Sequence, residues 1–507
     1  MIMKKFIKLM SLAVVVMAAV SSCELNKYPY DSVEQSQSFK TIKDATTLDN
    51  GLYGNLRARL NGIYTYTTDV QADELNATMD FGNRNGFPHT WTGFLADDYN
   101  IRDIWSGYYN ALINVNNFLN NVDNISLTTP ADTNLVKNTA SVNKYKGEAY
   151  LMRAFYFHQL VLKWAKAYDP TTAATDPGIP VLLTFDLTAK PKRSTVAETY
   201  AQILADIAKA KTLLAVVPGA QNSIKLTKDC ALALEARVAL SMQNWTLAAS
   251  SANALITSGT YPLTTTLAAF KAMWVNDVST ENICQLFVSN PSELANTNSI
   301  YLGYSSAKLW YTPDFIPQQW VVDMYADADF RKAVYLDKKL LYIGGTQYPN
   351  IYCINKYYGN PALYTAPQTN YQQKPKLFNI SEMYLISAEA AAHSTTTEAA
   401  ALTTMNLLRV SRGISALTGL SGTSLMSAIQ DERTRELLCE GTRLDDLKRW
   451  KMGFSRKPAQ NLNVIINGPD YNLKVVAAGD LKFVWGIPTN DLTTNPNIGV
   501  ANQNPGW

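Results

Sequence analysis

Residues 145–164 read YKGEAYLMRAFYFHQLVLKW. Ala149, Met152, Phe155, Tyr156 and Leu160 recur at helical spacing, and apolar character runs nearly all the way round. That pattern predicts a buried helix rather than an amphipathic surface one. Glu148 and Arg153 sit on it, and charges in so apolar a helix have to be paired to be tolerated. Pro170 and Pro177 bound it on the far side. Further on, Thr195-Val-Ala-Glu198 is a capping-box signature, and Tyr200, Ile203, Leu204, Ile207 and Leu214 follow at helical spacing.

Lys228 to Gly259 reads as two helices. Ala231, Leu234, Val238 and Met242 line the first; Asn244 breaks the pattern; Leu247, Ala248, Ser251 and Leu255 line the second; Gly259 suits a C-terminal cap. Ala231, Ala236, Ala239, Ala248, Ala249 and Ala252 are small enough to let the pair approach closely. Such a unit of about 30–34 residues has the length of a tetratricopeptide repeat. A second runs from Ile380 to Arg412, with Met383, Ile386 and Ala390 in one helix and Leu402, Met405 and Leu408 in the next. A third joins 145–165 to 195–214, and a fourth involves Ile101 to Val122. The expected fold is mainly α: a tetratricopeptide-like core of about four degenerate helical hairpins near 101–122, 145–260 and 380–450. Residues 23–507 form one domain, with minor β structure and a large irregular lobe from 73–100 and 259–375. The longest connections, 73–100, 259–320, 339–375 and 453–507, are polar, aromatic and rich in Gly, Pro and Asn. Loops of that size are usually functional.

The 507 residues carry 45 Lys+Arg against 42 Asp+Glu. The surplus is Lys4, Lys5 and Lys8, and the first 22 residues hold no acid. Met1 to Lys8 reads as a basic n-region and Leu9 to Val20 as the apolar run of an export signal, too short to span a membrane. Val20-Ser21-Ser22-Cys23 resembles a bacterial lipobox, which makes 1–22 a signal peptide and Cys23 the lipidation site. Without that segment the chain is neutral. Neutrality argues against nucleic acid as a partner and against a polybasic membrane surface. Cys230, Cys284, Cys353 and Cys439 show no CxxC spacing, so neither zinc nor a disulfide framework is expected. Cys230 and Cys439 fall in helical apolar patterns and read as buried thiols.

Five segments together resemble the SusD/RagB family. The first is Tyr28-Pro-Tyr-Asp-Ser-Val33 with Phe39 after the lipobox. The second is Ile104-Trp-Ser-Gly-Tyr-Tyr-Asn110 with Ile113, Asn114 and Asn117. The third is Lys146-Gly-Glu-Ala-Tyr-Leu-Met-Arg-Ala-Phe-Tyr156, and the fourth Ser381-Glu-Met-Tyr-Leu-Ile-Ser-Ala-Glu-Ala390. The fifth is Arg433-Thr-Arg-Glu-Leu-Leu-Cys-Glu-Gly-Thr-Arg-Leu-Asp-Asp-Leu-Lys-Arg-Trp450. The ending, Ile487-Pro488, Asn495-Pro-Asn497 and Gln503-Asn-Pro-Gly-Trp507, is similar too. Cys439 replaces an ordinary apolar residue, and Thr442-Arg443-Leu444 matches only in part. The resemblance implies an outer-membrane lipoprotein, held by lipid and facing outward. It would capture oligosaccharide and pass it to a SusC-like TonB-dependent transporter; a peptide-binding RagB-like role is the alternative. It implies a binding protein without cofactor rather than an enzyme. An oxygen-ligand Ca²⁺ site in an Asp/Asn-rich loop stays open.

Glu432, Glu436 and Glu440 are spaced so that they share a helix face, where like charges repel. Arg433, Arg435, Arg443 and Arg449 are expected to neutralise them. A hydrolase would need its two carboxylates across a cleft, so this stretch reads as architecture.

The resemblance also implies a shallow aromatic site built by loops. Local chemistry supplies the candidates: Asn76, Phe81, Asn83, Arg84 and Trp91 in the loop 73–91, and Tyr301, Tyr304, Trp310 and Tyr311, with Trp274 as a further one. Asn and Arg can satisfy vicinal hydroxyls, and flat aromatic rings can stack on sugars. For each aromatic, core packing is the competing reading. Asp73 and Glu74 read as structural. His158 reads as a hydrogen-bonded core residue, whereas His89, in the candidate loop, is open to ligand contact.

Overall fold

The computed structural model describes residues 38–294, 300–365 and 371–507, with Met3 before them. Cys23 and the rest of the expected leader lie outside those residues.

The body is a stack of helices: α1 (Ile42–Arg57), α2 (Ile63–Gln71), α3 (Tyr99–Asn121), α4 (Leu135–Trp164), α5 (Val196–Leu213), α6 (Lys228–Ser241), α7 (Trp245–Thr257), α8 (Ile380–Ala392), α9 (Glu398–Ser411), α10 (Gly422–Glu436) and α11 (Arg443–Arg449). Packing follows the chain: α3 on α4, α4 on α5, α5 on α6, α6 on α7, α7 on α8, and α8 on both α9 and α10. The helical hairpins read from the sequence are therefore present and stacked in sequence. From Gly147 to Trp164, only Tyr150, Gln159 and Leu162 escape full burial. The helix itself begins ten residues earlier than its apolar stretch. Its polar first turns need no core, and Asn134 caps it by accepting the Lys137 N–H at 3.0 Å.

Local signals set the other boundaries. Thr195 accepts the Glu198 N–H at 3.1 Å while Glu198 accepts the Thr195 N–H at 2.8 Å, a reciprocal capping box. Asn244 starts α7 by accepting from Leu247 at 3.2 Å. Gly259 takes φ +67° just past its end. Gly147 has a steric role: a Cβ there would lie 2.8 Å from Leu214 Cγ and 3.0 Å from Leu213 Cβ. The missing side chain lets α4 meet the end of α5.

Of the two charged residues expected to be paired on α4, Arg153 is, and Glu148 has no hydrogen-bond partner for either carboxyl oxygen among the described residues. Arg153 forks onto Asp206 with two 2.8 Å bonds and reaches Asn116 Oδ1 at 3.0 Å. Glu148 shares its environment with Asp49 of α1. Asp49 is held by Lys225 at 2.7 Å, whereas Lys144 stands 3.8 Å from Glu148. Burial first, and then the Asp49 charge, push the Glu148 carboxyl up to about 9, so it is protonated at neutral pH.

The C-terminal carboxylates are architectural, but mostly through other partners than those expected. Glu432 pairs with Arg331, Arg409 and Arg435. Glu436 pairs with Arg331 and Arg412, and Glu440 with Lys356. Burial would raise Glu436, but Arg412 and Arg331 outweigh it and hold the carboxylate at about 2. Of the four arginines proposed from sequence, only Arg435 neutralises this face. Arg433 pairs with Asp446, Arg443 with Asp73, and Arg449 with Glu389 and Asp446. Helical spacing identifies neighbours along one helix; here the partners come from distant segments.

The long connections carry more regular structure than their composition suggests. Strands are β1 (Leu75–Ala77), β2 (Asn282–Gln285), β3 (Tyr304–Ser305), β4 (Trp310–Tyr311), β5 (Phe315–Pro317), β6 (Leu336–Ile343), β7 (Thr346–Ile354) and β8 (Lys376–Asn379). β1 pairs with β5 and β2 with β8, while β3, β4, β6 and β7 form one sheet in that order. Leu267–Val275 is a further helix. Segments 259–320 and 339–375 are thus a small β lobe rather than bare loops. Two-residue strands leave almost no periodic signal. A second apolar core under this lobe includes Val70, Leu75, Phe315, Tyr335 and Leu438. Cys230, Cys284, Cys353 and Cys439 are free and buried. Among the described residues no helix is long and apolar enough to cross a membrane.

Candidate functional site

The sheet β3-β4-β6-β7 presents different chemistry on its two faces, because successive strand residues point to opposite sides. Tyr311 lies opposite Leu341 in the parallel β4–β6 register and packs on the apolar cluster beneath. Trp310, its neighbour, therefore points away from that cluster. Its ring stacks on Tyr342, with centroids 4.2 Å apart and planes 9° from parallel. Both rings are partly exposed. Lys308 Nζ stands 5.5 Å from the Trp310 centroid. The result is a partly exposed aromatic stack with a cation over the Trp310 ring.

Tyr304 and Tyr311 pack against each other at 4.8 Å, also partly exposed. Lys339 Nζ lies 5.1 Å from the Tyr311 ring and 5.2 Å from that of Tyr358. Burial, and then the neighbouring Tyr358, raise the Tyr311 hydroxyl above its ordinary value. The Tyr371 hydroxyl accepts the Tyr304 backbone N–H and is pushed up to about 12, chiefly by burial. These phenols stay neutral at physiological pH and serve as hydrogen-bonding groups.

Besides the β1–β5 pairing, two side chains tie the loop 73–100 to this lobe near the platform. Arg84 forks onto Asp314, with Nε donating at 2.8 Å and Nη2 to the second oxygen. The Arg84 side chain nevertheless remains 60% exposed. Asp80 Oδ2 accepts the Gly344 N–H at 2.9 Å, joining the loop to the β6–β7 turn. Asp314 lies four residues past Trp310, so its Cα is within about 14 Å of Trp310 along the chain. Asn83, beside Arg84, is exposed in a left-handed conformation with φ 57°. Of the ten ligand candidates, Asn83, Arg84, Tyr304, Trp310 and Tyr311 thus reach the surface.

The other five are core side chains, and the expectation for them is revised. Phe81 packs edge-on against Phe315 and Tyr471. Trp91 donates its indole N–H to the Gln71 carbonyl at 2.8 Å and lies between Phe454 and Phe483. Trp274 packs on Tyr335 and Tyr357, with Lys356 Nζ 4.4 Å from its centroid. Tyr301 is 1% exposed and donates to Asp69 at 3.2 Å. Asn76 is 1% exposed within β1. For the four aromatics core packing, the competing reading, accounts for the side chain; the Asn76 amide is buried without a hydrogen-bond partner among the described residues. His89 joins them: it is fully buried, with Nδ1 2.8 Å from the Val70 carbonyl. His158 is buried 3.1 Å from Ser241 Oγ, as expected of a core histidine. Asp73 is structural, forked by Arg443 with two 2.8 Å bonds.

Tyr342 was missed. Its signal was legible: two strand-like runs flank Gly344-Gly345, the dipeptide of a tight hairpin. Both glycines have positive φ, +57° and +79°. Among the described residues no cluster of three or more His, Cys, Asp or Glu is arranged to hold a metal ion.

Comparison with known proteins places this architecture. Residues 25–240 match a SusD-like family described as starch-binding associating with outer membrane, and residues 298–507 match the SusD family. A SusD-like protein P38 from Formosa agariphila is 26% identical over 290 residues, covering 54% of this chain and 50% of that protein. The chain thus matches about half the length of that curated relative. A SusD superfamily protein from Bacteroides thetaiotaomicron superposes with a TM-score of 0.76 at 23% identity, covering 92% of this chain and 100% of that one. A SusD superfamily protein from Bacteroides vulgatus gives 0.74 at 23% identity with the same coverage. Surface glycan-binding protein A from Bacteroides fluxus gives 0.66 at 20% identity, again covering 92% and 100%. These likenesses establish a shared fold along the chain. With SusD-type sequence signatures on both halves, the chain belongs to the SusD/RagB family.

Proposed function

We propose that this chain is a non-catalytic, cell-surface binding protein that captures oligosaccharides and delivers them to a partner TonB-dependent outer-membrane transporter. In this reading Cys23 carries the lipid that holds it at the outer membrane. The observation that carries the proposal is the partly exposed Trp310–Tyr342 stack with Lys308 over the Trp310 ring. A sugar ring offers an apolar C–H face and equatorial hydroxyls. The solvent-facing side of an aromatic ring meets the first, and neighbouring amide, phenol and guanidinium groups meet the second. Asn83, Arg84, Tyr304 and Tyr311 supply such groups. The family descriptions and the glycan-binding relative support the ligand class.

The carboxylates at the family's signature helix argue for binding rather than hydrolysis. Glu432 and Glu436 are buried and engaged by arginines. Neither is placed to meet a solvent-borne substrate. A glycan survey of the purified protein followed by calorimetry tests the proposal. Binding of an oligosaccharide that Trp310→Ala weakens about ten-fold supports it. Peptide binding without any glycan binding would overturn the ligand class, and release of reducing ends would overturn the absence of catalysis.

A further inference from the structure

A second cavity lies away from the aromatic platform and shares no lining residue with it. It encloses about 850 Å³ between the segment after α4, the end of α11 and the C-terminal segment 478–505. That volume is in the range of small-molecule sites. Much of its wall is apolar: Leu447 and Phe483 are buried, and Met452 and Leu481 stand partly exposed at it.

Its charges are unevenly compensated. Lys166 pairs with Asp176 at 2.6 Å and Lys451 with Asp169 at 3.1 Å, so those two acids are already engaged. Asp480 is exposed and caps the Lys482 N–H. Arg193 has no carboxylate partner among the described residues. Its guanidinium is held only by main-chain carbonyls: Gly178 at 2.9 Å, Asn502 at 2.9 Å, Pro177 at 3.3 Å and Trp164 at 3.4 Å. Lys448 is similar, donating to the carbonyls of Leu162 and Ala165. The nearby carboxylate, Asp445, is itself 3.5 Å from Lys163. Carbonyl dipoles orient these cations without neutralising them, and donors remain over, since Arg has five N–H groups and Lys three.

We propose that this cavity binds a small organic carboxylate with an apolar body, the carboxylate seated between Arg193 and Lys448 and the body against Phe483 and Leu481. With four of its N–H groups on carbonyls, Arg193 keeps one for a single hydrogen bond to a carboxylate, which charge strengthens. Desolvation, uncompensated by a full ion pair, lowers Arg193 to about 10 and Lys448 to about 8. A bound anion would restore both.

Calorimetric titration of the purified protein with 4-phenylbutyrate tests this, with 4-phenylbutan-1-ol and inorganic phosphate as comparators. The acid is expected to bind saturably, and the alcohol and phosphate each about ten-fold or more weakly. Lys448→Met should weaken the acid by a similar factor. Because Lys448 also ties two carbonyls, Met452→Glu serves as a second variant: it places an anion at a partly exposed wall position and should weaken the acid without disturbing the fold. No saturable binding of the acid, equal binding of the alcohol or of phosphate, or unchanged affinity in Met452→Glu would each overturn the proposal.

Discussion

Replacing Glu148 by Gln should flatten the pH dependence of stability. In the folded protein Glu148 is buried beside Asp49, which raises its carboxyl to about 9 from a reference of 4.5. The folded state therefore holds a proton that the unfolded chain releases between about pH 4.5 and 9. Stability from this group is fully present below the unfolded pKa and is lost as pH rises toward the folded one. The slope approaches about 1.4 kcal/mol per pH unit in mid-window. Between pH 6 and pH 8 the wild type should lose up to about 2–3 kcal/mol that Glu148→Gln retains. Gln has nearly the same shape and carries no titrating proton. Other buried acids with raised pKa, such as Asp69 at about 7, act in the same direction. They are common to both proteins and cancel in the difference. Urea unfolding of wild type and Glu148→Gln at matched pH between 5 and 9 reads the effect directly. Parallel stability curves, including a variant less stable by a constant amount at every pH, would refute the raised Glu148 carboxyl.

Gly147→Ala should destabilise by about 1–3 kcal/mol, because the new methyl would overpack α4 against Leu213 and Leu214; thermal unfolding checks this. Arg412→Met should cost about 3–5 kcal/mol, since it leaves buried Glu281 without its cation and takes one of two from Glu436; denaturant titration checks it, and a change below about 1 kcal/mol would rule out an architectural role for the network. Arg84→Ala should change stability by less than about 1 kcal/mol, because its pair with Asp314 is largely solvated on the arginine side. The same variant should weaken ligand binding if Arg84 meets hydroxyls, which calorimetry would register.

The helical body was legible because its signals are local and repeated. Residues 145–164 declare a buried helix by their apolar circumference, and Thr195, Asn244 and Gly259 punctuate neighbours by cap chemistry that acts within a turn. The charge network was legible in kind but not in partners. Arg331 and Arg412 reach Glu436 from other parts of the chain, and spacing along one helix carries no information about that. The site was legible least. Trp91, Trp274 and Trp310 all carry the same ring chemistry, yet Trp91 and Trp274 are core anchors and Trp310 is partly exposed. The difference is a strand register that points Trp310 away from the Tyr311 side of the sheet. Tyr342 completes the platform from 32 positions away, and only the β4–β6 pairing brings it there.

The most direct test of the binding role is calorimetry with the oligosaccharide selected from a glycan survey, comparing wild type, Trp310→Ala and Tyr342→Ala. Loss of one stacking ring should weaken binding by about 1–1.5 kcal/mol beyond lost contact area, roughly ten-fold, with the melting temperature little changed. Wild-type affinity in both variants would contradict a glycan platform at Trp310 and Tyr342.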